Sequence, residues 1–241
     1  MIKIIKFLVR CLLILLYRVE VTGIENYHKA GKRTLIVANH TSLLDGIILY
    51  AWLPDTPTFA INTDIASKKS FHFFLRFVDL FEMDHTSPLS LKSMIKFIKE
   101  DNKAVIFPEG RITVTGTLMK IYEGPALIAD KADATILPIA IDGAQLSPFS
   151  YIKDRGHIKR FPKISVKILP PEKIQLPNGI SSHDRRKIAA SKLQQLMFNL
   201  QFSTFSYDKT LFTAICEAAS KYGNKLIILE DINNIELTYK Q

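Results

Sequence analysis

At 241 residues, with 47% hydrophobic and 23% charged residues, the chain suits one large domain or a domain with an appendage, and collagen-like and disordered classes are excluded. A formal net charge of +9 fits an anionic partner (a phospholipid surface, an acidic carrier protein or nucleic acid), or simply solubility. The two cysteines, Cys11 and Cys216, have no metal or redox spacing, which fits a reducing compartment, and six scattered histidines without a His-Glu-x-x-His word give no reason to expect a metal.

The first predicted element is an N-terminal helix. Ile4, Ile5, Phe7 to Val9 and Leu12 to Leu16 are apolar, while Lys3, Lys6 and Arg10 share one face that Tyr17 continues. The apolar stretch after Arg10 is too short to span a bilayer, and no small-residue cleavage site follows. The expectation is an interfacial amphipathic helix over residues 1–20, with Lys3, Lys6 and Arg10 as its membrane-binding cations. A helix packed on the domain's own core is the alternative.

Further along, Thr34 to Ala38 reads as a buried strand, Leu43 to Trp52 as a helix and Thr58 to Asn62 as a strand. Ser70 to Val78 has helical period, with Phe71, Phe73, Phe74 and Phe77 read as core. Pro88 to Glu100 is a helix with proline early, and Ala104 to Phe107 is a strand ending at Pro108. Pro125 to Lys131 reads as a helix, Thr135 to Ile141 as a strand, and Ile164, Val166 and Ile168 alternate as another. Asp184 to Asn199 is helical. From Phe205 the pattern restarts, with a helix over Leu211 to Tyr222 and a strand over Leu226 to Leu229 before a polar tail. Apolar strands alternating with helices predict an α/β fold, a mostly parallel sheet flanked by helices.

Two short words carry the chemistry. In Asn39-His40-Thr41-Ser42-Leu43-Leu44-Asp45, His40 and Asp45 are five residues apart. On a regular helix they point about 140° apart. They meet only if His40 lies on the turn after the strand and Asp45 in the first helical turn. Thr41 and Ser42 are good N-cap residues, and a carboxylate suits a helix N-terminus. Asp45 then fixes one imidazole nitrogen and leaves the other as a general base, with a substrate hydroxyl in the place a triad gives to serine. The plainer alternative is a capping box between Ser42 and Asp45, with His40 a core residue. In Phe107-Pro108-Glu109-Gly110-Arg111, Gly110 permits a tight turn, Arg111 offers a planar fork for phosphate, and Glu109 orients Arg111 or accepts a substrate hydroxyl. Lys120 adds charge nearby. A solvated Glu-Gly-Arg turn is the plainer alternative here.

In this order the two words resemble the glycerolipid acyltransferase family. Asn39 to Asp45 is similar to its first block, Phe81-Glu82-Met83-Asp84 stands in the place of its second, Phe107 to Arg111 is similar to its third and Leu137-Pro138-Ile139-Ala140-Ile141 to its fourth. A narrower set is similar to the N-terminal half of bacterial bifunctional enzymes that join a 2-acylglycerophosphoethanolamine acyltransferase to an acyl-acyl-carrier-protein synthetase. It comprises Leu16 to Val19, Val21 to Gly23, Phe107 to Thr113, Gly116 to Tyr122 and Asp184 to Ala189, with Thr210 to Asn233 similar to the junction. Two departures stand out. The wider family often has one residue between the block-three glycine and its arginine, and a lysine before the glycine matching Gly124, where this chain has Tyr122-Glu123.

The resemblance implies an acyltransferase domain over 21–204 and, over 205–241, the start of a following adenylate-forming domain. The implied reaction moves an acyl group from an acyl thioester, on acyl carrier protein or coenzyme A, to the free hydroxyl of a lysophospholipid. The departures favour lysophosphatidylethanolamine over lysophosphatidate as acceptor. His40 and Asp45 are the expected catalytic pair; Ser42, Glu109, Gly110, Arg111 and Lys120 are the expected substrate-binding residues. Backbone N–H groups around Ser42 and Leu43 are expected to hold the oxyanion. No cofactor, metal or nucleic acid is expected, and the implied location is the cytoplasmic face of a bacterial inner membrane, peripheral or monotopic. A noncatalytic lipid-binding module is the reading from another class.

Overall fold

In the computed structural model, the described residues are 2–62, 78–83, 87–152, 158–177, 179–204, 211–223, 226–230 and 235–238. They form two units, Met1–Thr204 and Phe205–Gln241.

In the first unit the elements run α1 (Ile2–Tyr17), β1 (Glu20–Thr22), α2 (Ile24–Lys29), β2 (Thr34–Ala38), α3 (Leu44–Trp52), β3 (Thr58–Asn62), β4 (Leu80–Met83), α4 (Pro88–Lys99), β5 (Lys103–Ile106), α5 (Gly124–Ala132), β6 (Thr135–Asp142), β7 (Ser165–Ile168), β8 (Glu172–Lys173) and α6 (Ser182–Phe202). The strands form one sheet in the order β1-β7-β6-β2-β5-β3-β4, with β8 against β6. Pairings of β2 with β5 and β6, of β3 with β4 and β5, and of β1 with β7 are parallel; β6 meets β7 and β8 antiparallel. The α/β fold with a mostly parallel sheet is as the sequence predicts.

β2 lies at the centre, all five of its residues buried. Its alternation divides the core. Ile36 and Ala38 join the side chains of α1 and α3 on one face; Leu35 and Val37 join those of α4, α5 and α6 on the other. Helices cover both faces, which is why the strand reads as an uninterrupted apolar run.

The predicted helices and strands recur within a residue or two at most boundaries, with α6 extended to Phe202. The short edge strands β1, β4 and β8 and helix α2 had no sequence signal. The expected helix over 70–78, with its Phe71, Phe73, Phe74 and Phe77, lies outside the described residues except for the buried Val78. In the second unit, α7 (Leu211–Tyr222) and β9 (Leu226–Glu230) stand where predicted, and β10 (Ile235–Thr238) pairs antiparallel with β9 in the polar tail, where the sequence carries no strand signal.

The N-terminal helix corrects an expectation. The basic stripe exists, but it points inward. Lys6 is buried, and its ammonium donates to the carbonyls of Leu53 (2.9 Å) and Asp55 (2.6 Å); the Arg10 guanidinium donates to the Ala51 carbonyl at 2.5 Å. These carbonyls lie at and just beyond the C-terminal end of α3, where helix oxygens lack backbone donors and the dipole is negative. Lys6 also lies 5.1 Å from the Tyr50 ring centroid. Burial, then the neighbouring Arg10, hold the Lys6 amine below its ordinary pKa. So Lys6 and Arg10 are helix caps, not membrane-facing cations, while Lys3 stays exposed. Ile4, Phe7, Leu8, Leu12, Ile14 and Leu15 project outward instead. Among the described residues, no helix is long and apolar enough to cross a membrane.

Candidate functional site

Both words lie at the carboxyl ends of adjacent parallel strands, β2 and β5, where open sheets place their ligands. Asn39 closes the first strand. Its side-chain amide donates to the Ile141 carbonyl and its side-chain oxygen accepts from the Ile141 amide, both at 2.8 Å, so a side chain continues the ladder to β6. The backbone then turns, and His40 lies on that turn.

Asp45 sits in the first turn of α3, fully buried. Its Oδ2 accepts from His40 Nδ1 (2.9 Å), Thr41 N (2.5 Å) and Ser42 N (2.8 Å), and its Oδ1 from the Thr41 hydroxyl (3.1 Å). A carboxylate with this many donors is a fixed acceptor, and it selects the imidazole tautomer protonated at Nδ1. The His40 side chain keeps 20% exposure, and among the described residues its Nε2 has no hydrogen-bond partner. Its ring stacks on Phe107, with centroids 4.0 Å apart and planes 15° from parallel. The geometry that the His-x4-Asp spacing demanded is the one found.

The second word is joined to the first through backbone. Glu109 is buried, and its two oxygens accept from His40 N and Met119 N, each at 2.8 Å. The His40 carbonyl accepts from Thr113 N at 2.8 Å. Burial pushes the Glu109 carboxyl above the usual range, against the lowering effect of these two backbone donors. Both oxygens are engaged by backbone donors, and among the described residues no hydrogen bond or ion pair joins Glu109 to Arg111. Glu109 staples the histidine turn to the 107–119 segment. Gly110 has φ +65° and donates to Phe107 O at 2.9 Å, closing the tight turn. Arg111 is exposed, with no ion-pair partner among the described residues.

Ser42 and Leu43 also depart from expectation. Ser42 is fully buried, its amide bonded to Asp45 and its hydroxyl to the Ser147 hydroxyl (3.1 Å) and Leu44 N (3.2 Å). Leu43 N donates to Phe149 O at 3.2 Å. The two amides expected to form an oxyanion hole are already used, and Ser42 supports the turn from beneath. Lys120 is exposed, 5.4 Å from the Tyr122 ring centroid; Tyr122 N donates to Pro108 O at 2.9 Å, so this strip runs beside the Glu-Gly-Arg turn. Glu123 pairs with Arg186 at 2.8 Å.

Sequence reasoning missed Phe107 as the stacking partner, Thr113 and Met119 as backbone donors, and Ser147 beneath Ser42. All but Met119, ten residues from Glu109, lie far along the chain from their partners, and no local spacing marks any of them. Among the described residues, no group of three or more histidine, cysteine or acidic side chains is placed to hold a metal. What the site presents is an imidazole with its inner nitrogen held by a carboxylate and its outer nitrogen open, at the same strand ends as an exposed guanidinium. An imidazole so held has the chemistry of a general base, and a guanidinium that of an anion clamp.

The acyltransferase family profile matches residues 18–142. The chain is similar to a 1-acyl-sn-glycerol-3-phosphate acyltransferase of Cocos nucifera, 28% identical over 161 residues, covering 62% of this chain and 49% of that protein. A second, from Limnanthes alba, is 26% identical over 164 residues, covering 64% and 54%. The chain thus spans about half the length of these curated relatives. The crystal structure of the 1-acyl-sn-glycerophosphate (LPA) acyltransferase PlsC from Thermotoga maritima superposes with a TM-score of 0.59 at 23% identity, over 83% of this chain and 80% of that one, a likeness of fold.

Proposed function

The chain belongs to the acyltransferase family, and we propose that it transfers a fatty acyl group from an acyl thioester to the free glycerol hydroxyl of a lysophospholipid. The observation that carries this reading is the 2.9 Å contact of His40 Nδ1 with a fully buried Asp45, which leaves Nε2 open at the strand ends that also carry Arg111. Nε2 removes the hydroxyl proton as the oxygen attacks the thioester carbon. The tetrahedral intermediate collapses, the carbon–sulfur bond breaks and the thiol leaves, taking the proton from the imidazolium. Asp45 steadies that imidazolium and keeps the ring oriented. Arg111 and Lys120 hold the acceptor's phosphate. The acyl donor, acyl carrier protein or acyl coenzyme A, is a co-substrate, and no cofactor takes part.

For the acceptor we propose lysophosphatidylethanolamine, as in the acyltransferase half of the bacterial bifunctional enzymes. Its phosphodiester carries one negative charge and needs fewer cations than a phosphate monoester. This fits an acid, Glu123, at a position where the wider family often has a lysine close by. Lysophosphatidate is the second reading, favoured by what the names of the curated relatives say of those proteins. The outward apolar face of α1 supports peripheral attachment to a membrane, and the resemblance to the bacterial enzymes suggests the cytoplasmic surface. Thiol release by the purified protein, with acyl carrier protein and coenzyme A thioesters against a panel of lysolipids, tests the assignment. Turnover with lysophosphatidylethanolamine above lysophosphatidate is expected. The reverse order installs the second reading, and no thiol release with any pair leaves a noncatalytic lipid-binding module.

A further inference from the structure

A second surface, apart from α1, brings large exposed rings and cations together at the edge of the site. After β6 the chain turns at Gly143 and passes beneath the histidine turn, where Ser147 bonds Ser42 and the Phe149 carbonyl accepts from Leu43 N. Beyond these anchors the side chains of Phe149 and Tyr151 are 46% and 51% exposed. The returning limb carries Lys159, Arg160 and Phe161, the last 42% exposed. The two limbs are joined, since Lys159 N donates to Leu146 O at 2.8 Å. The returning limb also abuts the end of α1: Phe161 meets Tyr17 edge-on at 5.8 Å, and Arg18 donates to the Phe161 carbonyl at 2.9 Å. Arg160 lies 5.6 Å from the Phe161 ring centroid.

We propose that residues 148–151 and 158–163 form a second membrane-contact surface, whose aromatic rings enter the interfacial layer of an anionic phospholipid bilayer while Arg18, Lys159 and Arg160 meet its headgroups. Aromatic rings with one wet edge favour that layer, and each nearby cation adds attraction to anionic lipid. A lipid surface suits this patch better than an acidic carrier protein. The patch joins the end of α1, whose outward side chains are apolar except for Lys3, a surface that hydrocarbon covers and that offers an acidic protein little charge to meet. Bilayer contact here places the histidine turn, held from below by Ser147 and Phe149, within reach of a lipid hydroxyl at the membrane surface.

The chain's single tryptophan, Trp52, permits a direct test. In the full chain carrying Trp52→Phe and Phe149→Trp, emission is recorded with vesicles of phosphatidylglycerol and phosphatidylcholine with brominated chains, alongside sedimentation of the bound protein. The expected result is a blue shift with quenching of at least about twofold. Adding Lys159→Gln and Arg160→Gln should weaken partition by roughly tenfold or more, from about 1 kcal/mol per cation. Protein that sediments through α1 while the indole emission of the Phe149→Trp chain stays as in buffer overturns the inference and leaves α1 attachment standing. Protein that does not sediment overturns both. A blue shift produced by acyl carrier protein and not by vesicles overturns it in favour of carrier docking.

Discussion

Asp45 shows how a buried carboxylate serves two ends: it fixes the turn through Thr41 and Ser42 and holds the imidazole through Nδ1. Glu109 does related work at longer range, and its sensitivity is specific. Glu109→Gln offers one acceptor and one donor to two backbone N–H groups, so His40 N or Met119 N loses its partner. The expected cost is about 1–3 kcal/mol in urea unfolding, and an unchanged midpoint would show that the staple is dispensable. The pH dependence has a definite sign. Burial raises the folded pKa of Glu109 above its ordinary 4.5. The folded state therefore binds this proton more tightly than the unfolded state. Its contribution is complete below the unfolded pKa and declines as pH rises towards the folded one. As pH rises above the ordinary carboxyl pKa, the wild type should lose stability with a slope that Glu109→Gln lacks; parallel profiles would contradict this. Arg111, exposed and without an ion pair among the described residues, acts on the acceptor in the proposed reaction. Arg111→Ala should raise the acceptor KM by about tenfold or more with kcat little changed. An unaltered KM removes its role as the phosphate clamp.

At the scale of elements, α1 and α3 are the instructive pair. The 3.6-residue period put Lys6, Arg10 and Tyr17 on one face correctly, but an amphipathic pattern does not say which face meets the protein. The unfilled carbonyls at the end of α3 decide it, because they need donors and α1 supplies them. The apolar residues left outside are then the lipid-facing candidates. Lys6→Met keeps much of the buried stem volume but abandons the Leu53 and Asp55 carbonyls, and should cost about 1–3 kcal/mol on thermal or urea unfolding. A neutral result would mean that water replaces the ammonium without loss. The His40–Asp45 pair was legible because it is local: a strand end, two capping residues and a short spacing define it. The Glu109 staple, the Phe107 stack and the Ser42–Ser147 contact were not, because each joins segments brought together only by the sheet. The same holds for β1, a short edge strand whose partner β7 lies far along the chain; β4 escaped notice because it is only four residues long.

For the whole molecule, both core faces, the sheet and the site are supplied by residues 1–204. A chain ending at Thr204 is therefore expected to unfold in one cooperative transition and to retain thiol release. A broad, non-cooperative melt would show that residues 205–241 are needed for the fold. The net charge of +9 takes on a more definite meaning at this scale. Two of the basic side chains, Lys6 and Arg10, serve inside as caps, while the exposed Arg18, Lys159 and Arg160 are the ones assigned to the proposed anionic surface. The catalytic proposal itself is tested most directly by purified His40→Ala, assayed for thiol release on lysolipid-containing vesicles beside a sedimentation measure of binding. The account predicts a loss of about 10² to 10⁴-fold in turnover with vesicle binding retained. Turnover close to that of the wild type would contradict it.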